Sequence, residues 1–190
     1  MNPPGPKRSP MRTRVRCGAP CHCADRMVVA VQGRADLALI DPVKLTVTER
    51  IPTLGCSGPH GEALDATEQV MFVACEGNAR MVTVDLSRQA VVDDRGVGES
   101  PDVVAHDFRA KRVYVAAESG TVSIFDHDRG HLAPRGSGRL ADGAHSVSVD
   151  PMTHHSHFPI PRGTGGAPEL WEFEPTAETA PSVWAQGEMS

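Results

Sequence analysis

Apolar residues in this chain come in short runs, none long enough or spaced for a helical stripe. VMFVAC (70–75) and RVYVAA (112–117) are six-residue blocks of β-branched, aromatic and small residues, the composition of a strand covered on both faces. MVTVDL (81–86) and TVSIFD (121–126) follow as third strands. Between them, Glu76-Gly77-Asn78 and Glu118-Ser119-Gly120 are tight-turn sequences. Shorter runs, EALD (62–65) and VVAHD (103–107), precede each block, and a weaker AVVDDRGV (90–97) follows the first pair. With no 3.6-residue apolar periodicity of helical length, the pattern predicts an all-β chain.

These runs belong to a repeat. GPHGEALDATEQVMFVACEGNARMVTVDL from Gly58 aligns with ESPDVVAHDFRAKRVYVAAESGTVSIFDHD from Glu99 and with GAHSVSVDPMTHHSHFPI from Gly143. Asp65, Asp107 and Asp150 stand 42 and 43 residues apart, and Asp41, Asp85 and Asp126 stand 44 and 41 apart, so two independent landmarks keep one period. Four short antiparallel strands at this spacing are the signature of a β-propeller blade, which buries its faces only between neighbours. MVVAV (27–31), DLALID (36–41) and LTVTERI (45–51) extend the array backwards as strands two to four of an earlier blade. Its first strand falls within residues 1–26, which do not fit the pattern. The expectation is a basic, proline-rich and disordered leader at 1–26, a partial propeller of about three to four blades over 27–175, and a tail at 176–190.

GCSGPHGEALD, MFVACEGNARMVTVDL, VGESPDVVAHD, RVYVAAESGTVSIFD and GAHSVSVDPMTHHSHFPI resemble, in that order, the YncE-like (YVTN-repeat) family of β-propellers, with Tyr114-Val115-Ala116-Ala117 at the family's Tyr-Val-x-Asn-like second strand. The resemblance covers about residues 27–175. It implies a seven-bladed ring of which this chain is the C-terminal half, so that a fragment of a longer gene is expected, with self-association through the open blade edges as the alternative. GGAPELWEFEP (165–175) resembles the family's closing strand. The family's functions are diverse, and binding is the property most widely implied.

Composition narrows the partners. The 190 residues carry a formal net charge of −5, yet residues 1–26 hold six basic residues against Asp25, leaving the remainder near −10. An acidic body with 4% aromatic residues argues against nucleic acid. No apolar run approaches the roughly 20 residues of a membrane span. No export signal follows the basic start, which places the chain as written in the cytoplasm, although a longer parent of this family would be exported.

In a blade, the start of strand one and the connection between strands two and three lie at the same end, beside the central channel. His60, Asp102 and His145 share one offset before their first strands, and Glu76, Asn78 and Glu118 stand in the connections. Imidazoles and carboxylates converging on an axis are ligands for a divalent metal ion, a sugar or an organic acid. The competing reading is structural, with these groups hydrogen-bonding the backbone of the neighbouring blade. His154, His155 and His157 fall on the opposite face and read as a solvated turn.

Cys56 and Cys75 flank paired strands and form a disulfide candidate; with His60 they are alternatively two thiolates and an imidazole for a soft metal. Cys17, Cys21, His22 and Cys23 are crowded like a metal knuckle but lack the second half of a zinc motif. Gly163–Gly166 reads as a loop, and no GxSxG, P-loop, HExxH or GxGxxG is present. Two function classes follow: a non-enzymatic propeller binding a small ligand or protein on its channel face, or a lactonase-like, metal-dependent hydrolase, since lactonase propellers resemble this family.

Overall fold

A computed structural model describes residues 13–15 and 26–175. They form four antiparallel sheets in chain order. The first contains β1 (Thr13–Val15), β2 (Arg26–Val31), β3 (Asp36–Asp41) and β4 (Thr46–Pro52), and the second β5 (Pro59–Asp65), β6 (Val70–Cys75), β7 (Arg80–Asp85) and β8 (Ala90–Gly96). The third contains β9 (Pro101–Asp107), β10 (Arg112–Ala117), β11 (Thr121–Asp128) and β12 (His131–Arg139), and the fourth β13 (Ser148–Val149), β14 (Ser156–Ile160) and β15 (Glu169–Phe173). Each strand pairs with its sequence neighbour, as consecutive hairpins require. β1 comes from the basic leader and pairs with β2, Thr13 opposite Val28, which supplies the first sheet with the strand that the repeat pattern left unfilled. The other leader residues, including Cys17, Cys21, His22 and Cys23, and residues 176–190 lie outside the described residues.

The apolar blocks are central strands sandwiched between sheets. β6 is buried along its whole length. Met71, Val73 and Cys75 face Val28, Leu37, Leu39 and Ile51 of the first sheet, whereas Val70, Phe72 and Ala74 face Val104, Val113, Val115 and Phe125 of the third. In β10 the same alternation sends Val113 and Val115 back toward the second sheet and Tyr114 and Ala116 forward toward Phe158 and Ile160 of the fourth. The second and third sheets thus each contribute one layer to two cores. That explains why β6 and β10 have no polar face.

Both landmark series have a physical cause. Asp41, Asp65, Asp85 and Asp107 each end a strand, and the Oδ1 of each accepts backbone N–H bonds from the residues two and three places on, at 2.8–3.1 Å. Asp150 Oδ1 accepts from Met152 N–H at 2.8 Å. Four places after each aspartate the chain turns left-handed, at Leu45, Gln69, Gln89, Lys111 and His154, with φ of 51–64°. The aspartate closes the turn and the left-handed residue launches the next strand. Asp126 departs from this scheme. β11 runs two residues past it into an Arg129-Gly130 hairpin turn, and its carboxylate binds Arg112 Nε at 2.9 Å and Arg135 Nη1 at 2.8 Å.

Candidate functional site

Neighbouring blades meet through their first strands. Gly61 in β5 lies so close to β9 that a Cβ placed on it would stand 1.8 Å from the Asp102 backbone oxygen. This contact sets the side chains at the start of β5 and β9 beside each other. His60 Nε2 lies 2.9 Å from Asp102 Oδ1, and His145 Nδ1 lies 2.6 Å from Asp102 Oδ2. One carboxylate therefore bridges two imidazoles from the blades on either side, all three at the same repeat position. Asp102 is the most enclosed, with its side chain 20% exposed against about twice that for the histidines.

Glu118 belongs to the same group. Its backbone N–H donates to Ser100 oxygen at 2.8 Å, which ties the connection after β10 to the start of β9. One of its carboxylate oxygens, with an Asp102 oxygen and a His145 nitrogen, falls within a 4.8 Å cluster able to hold a metal ion. Glu76 sits elsewhere. Its Oε2 accepts from Gln32 Nε2, the residue at the matching place in the first blade, so that pair spans the preceding blade junction. Asn78 serves the fold, its Oδ1 accepting from Ser57 N–H at 3.1 Å while Nδ2 donates to Gly55 oxygen at 2.8 Å. Gln32 escaped sequence reasoning because an amide in a turn carries no chemical signature, although its repeat position was readable.

Cys56 and Cys75 are joined by a disulfide with Cα atoms 5.2 Å apart, in the register where Cys75 opposes Pro59. Bridged sulfurs offer no thiolate. The alternative of Cys56, His60 and Cys75 as soft-metal ligands is therefore corrected. In the chain-entropy account, closing a loop of this size stabilises the fold by about 3 kcal/mol.

His154 and His155 lie in the partly exposed turn before β14, whereas His157 lies within β14, and each of the three has an acidic partner. His154 Nδ1 lies 2.7 Å from Oδ2 of the fully buried Asp107, across the junction between the third and fourth sheets. His155 and His157 share Glu172, at 2.6 and 3.5 Å. Hydrogen bonding to Glu172 raises the His155 pKa above the ordinary histidine value. On this same face sequence reasoning missed a second group, in which His106 Nε2 and His127 Nε2 lie 2.8 Å apart and near Asp65. The repeat alignment held the signal: His106 and His127 take the places of Leu64 and Leu86 in the preceding unit.

Glu62 lies two residues beyond His60, inside the junction of the first and second blades. Its Oε2 accepts from Ala30 N–H at 2.9 Å. Burial, partly offset by that bond, pushes its carboxyl up to about 7. No helix among the described residues is long and apolar enough to cross a membrane.

No protein-family model matches the sequence, and no curated protein matches it significantly. Solved structures do. Kuenenia stuttgartiensis hydrazine synthase superposes with a TM-score of 0.67 at 16% identity, over 78% of this chain and 42% of that one. The dihydro-heme d1 dehydrogenase NirN, in complex with DHE, gives 0.62 at 20% identity over 82% and 33%. A functionally unknown protein from Desulfotomaculum acetoxidans gives 0.61 at 18% over 78% and 50%. The chain therefore spans a third to a half of the chains it matches. At these identities the likeness speaks for architecture alone, and with four blade-like antiparallel sheets and no closed ring, this chain has a β-propeller fold.

Proposed function

We propose that the chain is a non-enzymatic, YncE-like propeller that binds a small ligand on its channel face, with Asp102 at the centre, His60 and His145 beside it, and Glu118 as a second carboxylate. The observation carrying this reading is the bridging of two histidines from neighbouring blades by one half-enclosed carboxylate. Three chemically active groups at one repeat position, each from a different blade, exceed what backbone satisfaction requires: none of these three side chains has the neighbouring backbone as the partner named above. A mixed imidazole and carboxylate set suits a divalent cation, which is the first ligand to test, ahead of small organic acids and a protein partner.

The test is calorimetric titration of zinc, manganese and small carboxylic acids into the full chain, alongside Asp102→Asn and His145→Ala. Either substitution is expected to weaken binding by about 1–3 kcal/mol, with little change in melting temperature. Unchanged binding together with a lowered melting temperature would assign the cluster to the fold instead. The lactonase-like hydrolase reading draws on the same metal-capable cluster. It is separated by whether the metal-loaded chain opens lactones and loses that turnover with Asp102→Asn. The Cys56–Cys75 bridge supports residence in an oxidising compartment.

A further inference from the structure

We propose that Asp65 Oδ2, His106 Nε2 and His127 Nε2 hold a divalent transition-metal ion between the second and third blades, on the face opposite the channel cluster. Zinc is the first ion to test. The three atoms form a triangle with sides of 2.8, 3.8 and 3.9 Å. Its circumcentre is about 2.1 Å from each atom, inside the 2.0–2.2 Å range of zinc–nitrogen and zinc–oxygen bonds. Two imidazoles and a carboxylate are a set that zinc, cobalt(II) and iron(II) accept.

The ligands are buried and already aimed. The side chains of His127, His106 and Asp65 are 0%, 4% and 6% exposed. Asp65 Oδ1 is pinned by the N–H groups of Thr67 and Glu68, which fixes where Oδ2 points. Phe72 packs against both imidazole rings, with centroids 5.2 and 4.8 Å away, and limits their rotation. Asp65 Oδ2 is too far from either nitrogen for a hydrogen bond. An ion at the centre satisfies all three atoms at once.

The surrounding groups complete a pattern typical of metal-bound histidine. His127 Nδ1 is buried with no hydrogen-bond partner, yet Glu68 Oε2 lies 3.5 Å from it. With the metal on Nε2, the imidazole proton sits on Nδ1 and faces that carboxylate, the orienting contact commonly seen behind a ligating histidine. His106 has its own backbone partner at Leu64. Binding moves one proton from Nε2 to Nδ1 within an imidazole and releases none. Asp65, Glu68 and Asp107 outnumber Lys111 here, leaving negative charge for a cation to neutralise.

The preceding repeat provides the control, since Leu64 and Leu86 occupy the matching positions and a propeller blade folds with them there. The experiment uses the full chain carrying Asp102→Asn, which weakens the channel cluster, stripped with chelator and titrated with cobalt(II) while visible absorption is followed. One equivalent with ligand-field bands is expected, displaced by zinc, and zinc is expected to raise the melting temperature. His106→Leu with His127→Leu is expected to abolish both effects, and Glu68→Gln to weaken affinity about 10- to 100-fold. If the double variant does not fold, Asp65→Asn decides on the same criterion, since its amide oxygen can still close the turn. Absence of cobalt uptake by the Asp102→Asn chain, or equal uptake after loss of the Asp65 or histidine ligands, would overturn the proposal.

Discussion

Glu62 takes in β5 the place that Val104 takes in β9, and the difference has a measurable consequence. Its carboxyl is shifted from 4.5 to about 7 by burial, so the folded chain holds a proton that the unfolded chain releases between those values. Stability from this group is therefore full below pH 4.5, falls as pH rises toward 7, and stays low above it. The span is about 3 kcal/mol, as an upper figure. His106 and His127, lowered by burial, act in the opposite direction, so the comparison must isolate Glu62. Glu62→Gln keeps an oxygen for Ala30 N–H and cannot ionise. It is expected to be more stable than the parent at pH 8 and to lose the difference at pH 4.5, measured by urea denaturation. An unchanged gap across that range would mean Glu62 is not desolvated.

At the level of the strand, Gly61 leaves no room for a Cβ, which would stand 1.8 Å from the Asp102 backbone oxygen. Gly61→Ala places its methyl on a carbonyl oxygen that cannot turn away, so β5 and β9 must separate. A cost of roughly 1–3 kcal/mol is expected, together with weakened channel-face binding, because the same separation pulls His60 from Asp102. Gly96→Ala is the control, as nothing lies within 4 Å of its added Cβ. Equal melting temperatures for the two variants would contradict the packing. The period and the strand order were legible because they are local: an aspartate closing a turn, a left-handed residue after it, and a block with no polar face each leave a mark in consecutive residues. β1 left none. Three residues among arginines are too few to show alternation.

For the whole molecule, legibility depended on whether a contact follows the repeat. His60, Asp102 and His145 could be grouped from sequence because equal offsets place equal positions side by side, whereas Glu76 shared the face yet paired with Gln32 across a different junction. The cluster of Asp65, His106 and His127 joins two strand ends of one sheet to a strand end of another, a relation that depends on how the sheets stack and that no single repeat contains. The replacement of Leu64 and Leu86 by histidines was visible, but its meaning needed the partner across the junction. On the function proposed above, blade repetition itself builds a binding group at Asp102. Anomalous diffraction from crystals of the full chain grown with zinc tests it most directly. The expected result is a peak within coordination distance of the Asp102 carboxylate, with His145 and Glu118 turned toward it. A bare Asp102 whose neighbouring histidines point into separate blade interiors would contradict it.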